Sequence, residues 1–376
     1  MASIQTLETP AALIDAQRMQ RNIVRMQQRT NALGVNFRPH VKTTKCVQVV
    51  QRQLEAGARG ITVSTLKEAE QFFAAGIVDI LYAVSILPAK LPHALALRRK
   101  GCGLKIITDS VSSAQAIVRI CKEQGESPEV WIEVDVDGHR SGVQPESDAL
   151  LEIGHALHDG GMHLGGVMAH AGSSYEYDDP EALRVIAERE RRATVRAAER
   201  LIEAGLPCAV VSVGSTPTAL SASDLRGVTE VRAGVYVFFD LVMQNVGVCK
   251  TEDLALSVLT TVIGHQDEKG WAITDAGWMA MSRDRGTQYQ KRDFGYGLVC
   301  TEDGEPVADC IFDSANQEHG ILRAVGNDSA IARRFPVGTR LRIFPNHACA
   351  TGAQHPEYHA LMQDGEVETW PRFYGW

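Results

Sequence analysis

Lys42 closes the string Arg38-Pro39-His40-Val41-Lys42, and a lysine amine at a strand end is a ready nucleophile toward a carbonyl. Held in an apolar mouth, such an amine loses basicity by desolvation, which suits Schiff-base formation. The ordinary alternative is a surface lysine. Lys45, one helical turn further on, is the local rival and is expected to be the more solvated of the two. A second candidate is Gly214-Ser215-Thr216, a small-residue turn with two hydroxyls and free backbone N–H groups where a helix begins. That suits a phosphate, although in isolation the string reads as an ordinary helix N-cap. A third is the pair His347 and Cys349, two positions apart after the apolar run 341–344. On a strand they would share one face and could share one metal ion. The alternative there is a partly buried thiol beside a surface histidine.

Such residues must be held by regular elements. Strand-like runs at 35–41, 60–64, 80–86, 104–108, 130–136, 164–170, 209–213 and 229–233 alternate with amphipathic stretches such as 112–124 and 180–204. Thr65 and Glu68 have capping-box spacing ahead of one helix, and Met19, Ile23 and Met26 share a face of another. Eight strands alternating with helices predict an α/β fold built on a parallel (β/α)8 barrel, with an open doubly wound sheet as the alternative. In a barrel the site lies at the C-terminal strand ends, and a phosphate commonly binds after strands seven and eight. Those ends carry Lys42, Arg140, His170 and Tyr175, then Gly214 to Thr216, then Arg232, Gly234, Val235. After Leu241 the texture changes to strands and Gly- and Asp-rich turns, including 254–263, 271–275 and 340–345. The division expected is a barrel over 16–245 and a mainly β domain from 1–15 plus 246–376, the latter carrying the metal pair. Whether the strand 11–14 returns to that second domain is open.

The formal charge of −8 argues against a nucleic-acid partner. No apolar run is long enough to span a membrane, and residues 1–10 lack the pattern of a secretory signal. The 8 cysteines are scattered with no CxxC pair, as expected of reduced thiols in the cytoplasm.

In chain order stand Arg-Pro-His-Val-Lys, Asp-Gly-His-Arg-Ser-Gly, His-Ala-Gly-Ser-Ser-Tyr, Gly-Ser-Thr-Pro-Thr and Arg-Ala-Gly-Val-Tyr-Val-Phe-Phe-Asp. This set, spread over nearly the whole chain, resembles the D-serine dehydratase and D-threonine aldolase family. That family lies within the fold-type III pyridoxal-phosphate enzymes that include alanine racemase. The resemblance implies that Lys42 carries pyridoxal 5'-phosphate, that His170 packs beside the pyridine ring, and that Gly214, Ser215, Thr216, Gly234 and Val235 hold the phosphate. It matches Arg140 to the arginine of the racemase Arg-x-Gly signature and leaves Tyr175 and Arg232 as rival partners of the pyridine nitrogen. It also places a divalent metal on His347 and Cys349. The aldolases carry His-x-Asp there, whose oxygen suits manganese or magnesium, whereas a thiolate favours zinc and the dehydratase branch.

The implied reaction is loss of water from a D-3-hydroxyamino acid, with Lys42 taking the α proton and the metal assisting departure of the β-hydroxyl. A 2-oxo acid and ammonia result. D-serine, D-threonine and D-3-hydroxyaspartate are the candidate substrates, the last suggested by similarity that includes Trp278-Met-Ala-Met-Ser-Arg-Asp-Arg. Its second carboxylate needs a cationic partner, for which Arg140, Arg283, Arg285, His40 and His319 are available. Rival readings are an aldolase, a racemase and a non-enzymatic pyridoxal-phosphate-binding protein; the last is usually a barrel alone. A homodimer is expected from the family.

Overall fold

The computed structural model describes residues 3–325 and 334–376. The chain divides into two compact units, one of Val24–Gly234 with Phe373–Trp376 and one of Met1–Ile23 with Val235–Arg372.

The chain opens with β1 (Ala11–Asp15) and α1 (Ala16–Ala32). The barrel then runs β2 (Asn36–Pro39), α2 (Val47–Glu55), β3 (Ile61–Val63), α3 (Leu66–Ala74), β4 (Asp79–Ser85), α4 (Leu91–Arg99), β5 (Gly103–Thr108), α5 (Val111–Gln124) and β6 (Glu129–Val134). It continues with α6 (Asp148–Asp159), β7 (His163–Ala169), α7 (Pro180–Glu203), β8 (Val210–Val213), α8 (Thr216–Ser221) and β9 (Glu230–Ala233). Strands β2 to β9 form one parallel sheet in which β9 lies beside β2. A parallel bridge between His40 and Thr62 joins the remaining edges, β2 to β3, and closes the ring. Closure leaves no free edge and sends every strand's C-terminal end to the same rim.

Local sequence explains the elements. Parallel strands covered on both faces read as near-continuous apolar runs, and β6 is buried from Val130 to Val134. Leu81, Ile107, Trp131 and Met168, one from each of β4 to β7, pack as a single cluster. Helix α5 buries Ala114, Ile117 and Cys121, three and four apart, so its apolar stripe faces the sheet. Thr65 caps α3 by accepting the Glu68 N–H at 3.0 Å. The return arm of that box reaches Ser64 N–H, 3.0 Å from Glu68 Oε2, rather than Thr65 itself.

In the other unit the elements are α9 (Leu241–Val246), β10 (Leu256–Gln266), β11 (Trp271–Thr274), α10 (Trp278–Met281), β12 (Gly297–Thr301), β13 (Cys310–Ala315), β14 (Gly320–Ala324), β15 (Arg340–Pro345), α11 (Ala348–Gly352), β16 (Glu357–Leu361) and β17 (Val367–Pro371). The sheet runs β13-β14-β11-β10-β1-β16-β17, with β15 also on β10 and β12 on β15. Strand β1 does return to it, antiparallel to β10 and parallel to β16. Its core gathers Val258, Val262, Val299, Phe312, Leu322 and Ile343. None of the eight cysteines forms a disulfide, and six of them are buried. Among the described residues no helix is long and apolar enough to cross a membrane.

Candidate active site

Strand β2 ends at Pro39, and a tight turn over Val41–Thr43 follows the closing bridge. The turn buries Val41 and Thr43 and leaves Lys42 exposed. Among the described residues the Lys42 ammonium makes no hydrogen bond or ion pair. The two lysines thus reverse the expected solvation. Lys45 is the half-buried one, 3.2 Å from the buried Glu68 carboxylate and 5.6 Å from the centre of the Trp376 ring. An amine committed to a buried carboxylate is a poor nucleophile, so Lys42 stands out by being free rather than by being desolvated.

Two histidines lie near that amine. The His170 Nδ1–H donates to the Gly214 carbonyl at 2.9 Å, which leaves Nε2 with its lone pair in the neutral ring. Burial, then the positive charges of Arg140, Lys42 and Arg232, push its pKa down to about 3, against a weaker opposing pull from the Gly214 carbonyl. His40 is held well below the ordinary range by burial first and by Lys42, Arg232, His170 and Arg140 after it. With its pKa held there, His40 would meet a substrate carboxylate as an uncharged ring rather than as a cation. Its Nε2 lies 3.4 Å from Ser64 Oγ, and its buried Nδ1 has no partner among the described residues.

Arg232, on β9, is buried and donates from Nε to Ser212 Oγ at 2.9 Å and from Nη2 to the Ala169 carbonyl. Tyr175, in the turn after β7, is half-buried with its ring 6.2 Å from that of His170. Arg140 is half-exposed and has a long 3.8 Å ion pair with Glu133.

Gly214 has φ +136°, and a Cβ there would lie 2.1 Å from the Arg232 carbonyl, so only glycine fits. Ser215 caps α8, its Oγ accepting the Thr218 N–H at 3.2 Å, so the N-cap reading of this turn holds. The expected free donors are already engaged: Gly214 N–H donates to Glu190 Oε1 at 3.0 Å and Ser215 N–H to Thr218 Oγ1 at 3.0 Å. Thr216 is buried at the first position of the helix. A Cβ at Gly234 would sit 3.1 Å from both the His40 carbonyl and Thr43 Oγ1, so β9 ends close against the Lys42 turn. Val235 is buried at the start of the next turn.

In the other unit β15 ends at Pro345, and His347 is the extended N-cap residue of α11, which contains Cys349. The expected strand geometry is therefore replaced by a strand-to-helix turn. The pair still meets, because the two side chains hydrogen-bond each other. The His347 Nδ1–H donates to Asp284 Oδ2 at 2.6 Å, leaving Nε2 for a ligand. Burial works to lower the His347 pKa, but Cys349, Asp284 and Asp240 outweigh it and hold the pKa well above the usual histidine range. Asp240 is buried and accepts the Ala348 N–H at 2.9 Å, while Asn346 donates to the Gly295 carbonyl at 2.8 Å. These bonds fix the turn. Among the described residues no group of three or more His, Cys, Asp or Glu is arranged to hold a metal. His319 is exposed in the turn between β13 and β14. Arg285 is paired with Asp293 at 2.9 Å, and Arg283 stacks 5.1 Å from the Trp278 ring. Sequence reasoning missed Asp284 and Asp240. The first lies inside the Trp278-to-Arg285 string, where only the arginines drew notice.

An eight-stranded parallel barrel with a free lysine at its rim, joined in one chain to a β-sheet unit, defines an alanine racemase-like protein. The family described as alanine racemase, N-terminal domain, matches residues 14–242, and a serine dehydratase domain family matches residues 255–361. The chain belongs to the D-serine dehydratase and D-threonine aldolase family. It is 68% identical to D-threo-3-hydroxyaspartate dehydratase of Delftia sp. (strain HT23), covering 100% of this chain and 99% of that protein. It is 29% identical to D-serine dehydratase of Dictyostelium discoideum over 97% of this chain and 96% of that one. The solved structure of the Delftia enzyme superposes with a TM-score of 0.99 at 67% identity, covering 100% of both chains. Its solved variants include a histidine-to-alanine form and, two positions further on, a cysteine-to-alanine form described as metal-free.

Proposed function

We propose that this chain is a pyridoxal-phosphate- and zinc-dependent ammonia-lyase that converts D-threo-3-hydroxyaspartate to oxaloacetate and ammonia. The observation that carries the reading is the full-length 68% identity to an enzyme of that name. The His-x-Cys pair, whose spacing matches the two alanine variants of that enzyme, supports the metal.

The residues present fit both groups. Lys42 is a free amine at the rim, beside a neutral His170 with its Nε2 lone pair available. Gly214 and Gly234 are positions where an added Cβ would crowd the backbone, which keeps the strand ends tightly drawn around that rim. An imidazole and a thiol, with Asp284 fixing the imidazole, form a donor set suited to zinc. When bound, pyridoxal phosphate supplies an electron sink for charge at the substrate Cα, and a divalent ion supplies a Lewis acid for an oxygen leaving group.

The chain's own groups supply the rest. Lys42 would hold the cofactor, and its amine is the group placed to take the α proton. His170, uncharged, would stand beside the cofactor without adding positive charge. Arg140, with only a long tie to Glu133, is the donor for a substrate carboxylate. Arg232 and Tyr175 remain rival partners for the pyridine nitrogen. Gly214 to Thr216, with Gly234 and Val235, line the phosphate end. His347 and Cys349 hold the metal. A broader D-serine activity is the second reading, supported by the D-serine dehydratase relative. A homodimer is the assembly we expect from the family.

Borohydride reduction of the holoenzyme followed by peptide mapping tests the cofactor assignment. Label on Lys42 is the expected result, and label on Lys45 would refute it.

A further inference from the structure

Helix α7 buries Leu183, Ile186, Ala187, Glu190, Thr194, Ala197, Ala198 and Leu201, a stripe at spacings of three and four that faces the sheet. One member of this stripe is a carboxylate. Glu190 is 2% exposed, where an aliphatic side chain would satisfy the packing without the cost of burying an acid. What the acid does there is specific. Its Oε1 accepts the Ala171 N–H at 2.9 Å and the Gly214 N–H at 3.0 Å, and the side chain also hydrogen-bonds Thr218. Ala171 follows His170 after β7, and Gly214 precedes Ser215 after β8. The same Gly214 accepts the His170 Nδ1–H through its carbonyl. One oxygen atom thus ties the two loops that carry the ring-side histidine and the phosphate-side turn. Ser174 Oγ, 2.8 Å from Ser215 Oγ and donating to the Ala171 carbonyl, closes the same network.

We propose that Glu190 is a positioning residue that sets the separation of the loops after β7 and β8, and through them the places of His170 and Gly214 against bound pyridoxal phosphate. This rests on the reading that those loops receive the cofactor. Glu190 touches neither cofactor nor substrate; it acts through two backbone N–H groups whose carbonyl and side-chain neighbours do. The requirement is an acceptor at that place and reach, not a charge. Glutamine meets it, whereas alanine and the shorter aspartate do not.

The test uses holoenzyme of the wild type, Glu190→Gln, Glu190→Ala and Glu190→Asp. Pyridoxal-phosphate affinity and the visible circular dichroism of the bound cofactor are read beside far-ultraviolet circular dichroism. Glu190→Ala should weaken cofactor binding about tenfold or more and alter the visible dichroism, the scale expected when two buried backbone N–H groups lose their acceptor. Glu190→Gln should restore affinity to within about threefold of wild type, since its amide oxygen accepts the same two N–H groups. Should Glu190→Ala not fold, Glu190→Asp carries the same expectation. Wild-type affinity and dichroism in a folded Ala or Asp variant would overturn the proposal, as would a folded Gln variant as impaired as Ala. If the wild type itself binds no cofactor on Lys42, the function proposed above falls first and this inference with it. Binding by wild type with no difference among the variants sinks Glu190 alone.

Discussion

At the scale of single residues, commitment separates the candidates better than burial does. Lys45 is tied to Glu68 while Lys42 is unpaired among the described residues. Lys42→Ala should therefore abolish retention of the cofactor through dialysis, and Lys45→Ala should leave it bound; absorbance of the dialysed protein reads both. Asp284 offers a sharper case. It orients His347 from 2.6 Å, and Asp284→Asn should weaken metal binding about 10- to 100-fold, as seen for outer-shell partners generally. Competition against a chromogenic chelator measures it, and unchanged affinity would remove Asp284 from the centre. His170 makes a pH prediction. Its pKa is about 3 when folded, against roughly 6.5 unfolded. The unfolded chain therefore binds the extra proton between these values, so stability is full above about pH 6.5 and falls as pH drops toward 3. Thermal unfolding should show this slope, to which His40 adds with the same sign, and His170→Asn should make it shallower. The chemistry-bearing types were legible in the sequence because they stand where the apolar strand runs stop, whether exposed like Lys42 or buried like Arg232. The pairing of Lys45, the neutrality of His40 and the role of Asp284 were not, since each depends on a partner distant in the chain.

At the scale of elements, the eight barrel strands could be read from alternation because each is a short apolar run between amphipathic helices. The strand order of the second sheet could not. Strand β1 pairs with β10 and β16, segments more than 200 residues away, and no local pattern records such a partner. The His347 turn shows a different limit. The apolar run implied a strand continuing through Cys349, but Asp240 accepts the Ala348 N–H and helps start a helix there. Backbone geometry at β8 gives the test at this scale. Gly214→Ala forces a Cβ onto the Arg232 carbonyl at φ +136° and should destabilise the fold by at least about 1–3 kcal/mol. Urea unfolding reads the loss; a wild-type midpoint would show that the loop simply relaxes.

At the scale of the whole molecule, the barrel unit carries the free lysine and the sheet unit carries the His-x-Cys pair. A barrel alone would suit a cofactor-binding protein; a second unit with its own ligand pair suits a reaction that needs a metal as well. Cys349→Ala should then abolish elimination while leaving cofactor bound, a separation visible by comparing turnover with absorbance. The central claim is met most directly by assaying D-threo-3-hydroxyaspartate, D-serine and D-threonine with holoenzyme before chelation, after it, and after zinc is restored. Oxaloacetate and ammonia are expected from D-threo-3-hydroxyaspartate, lost on chelation and recovered with zinc. Glycine with an aldehyde product, or full activity in the chelated enzyme, would contradict it.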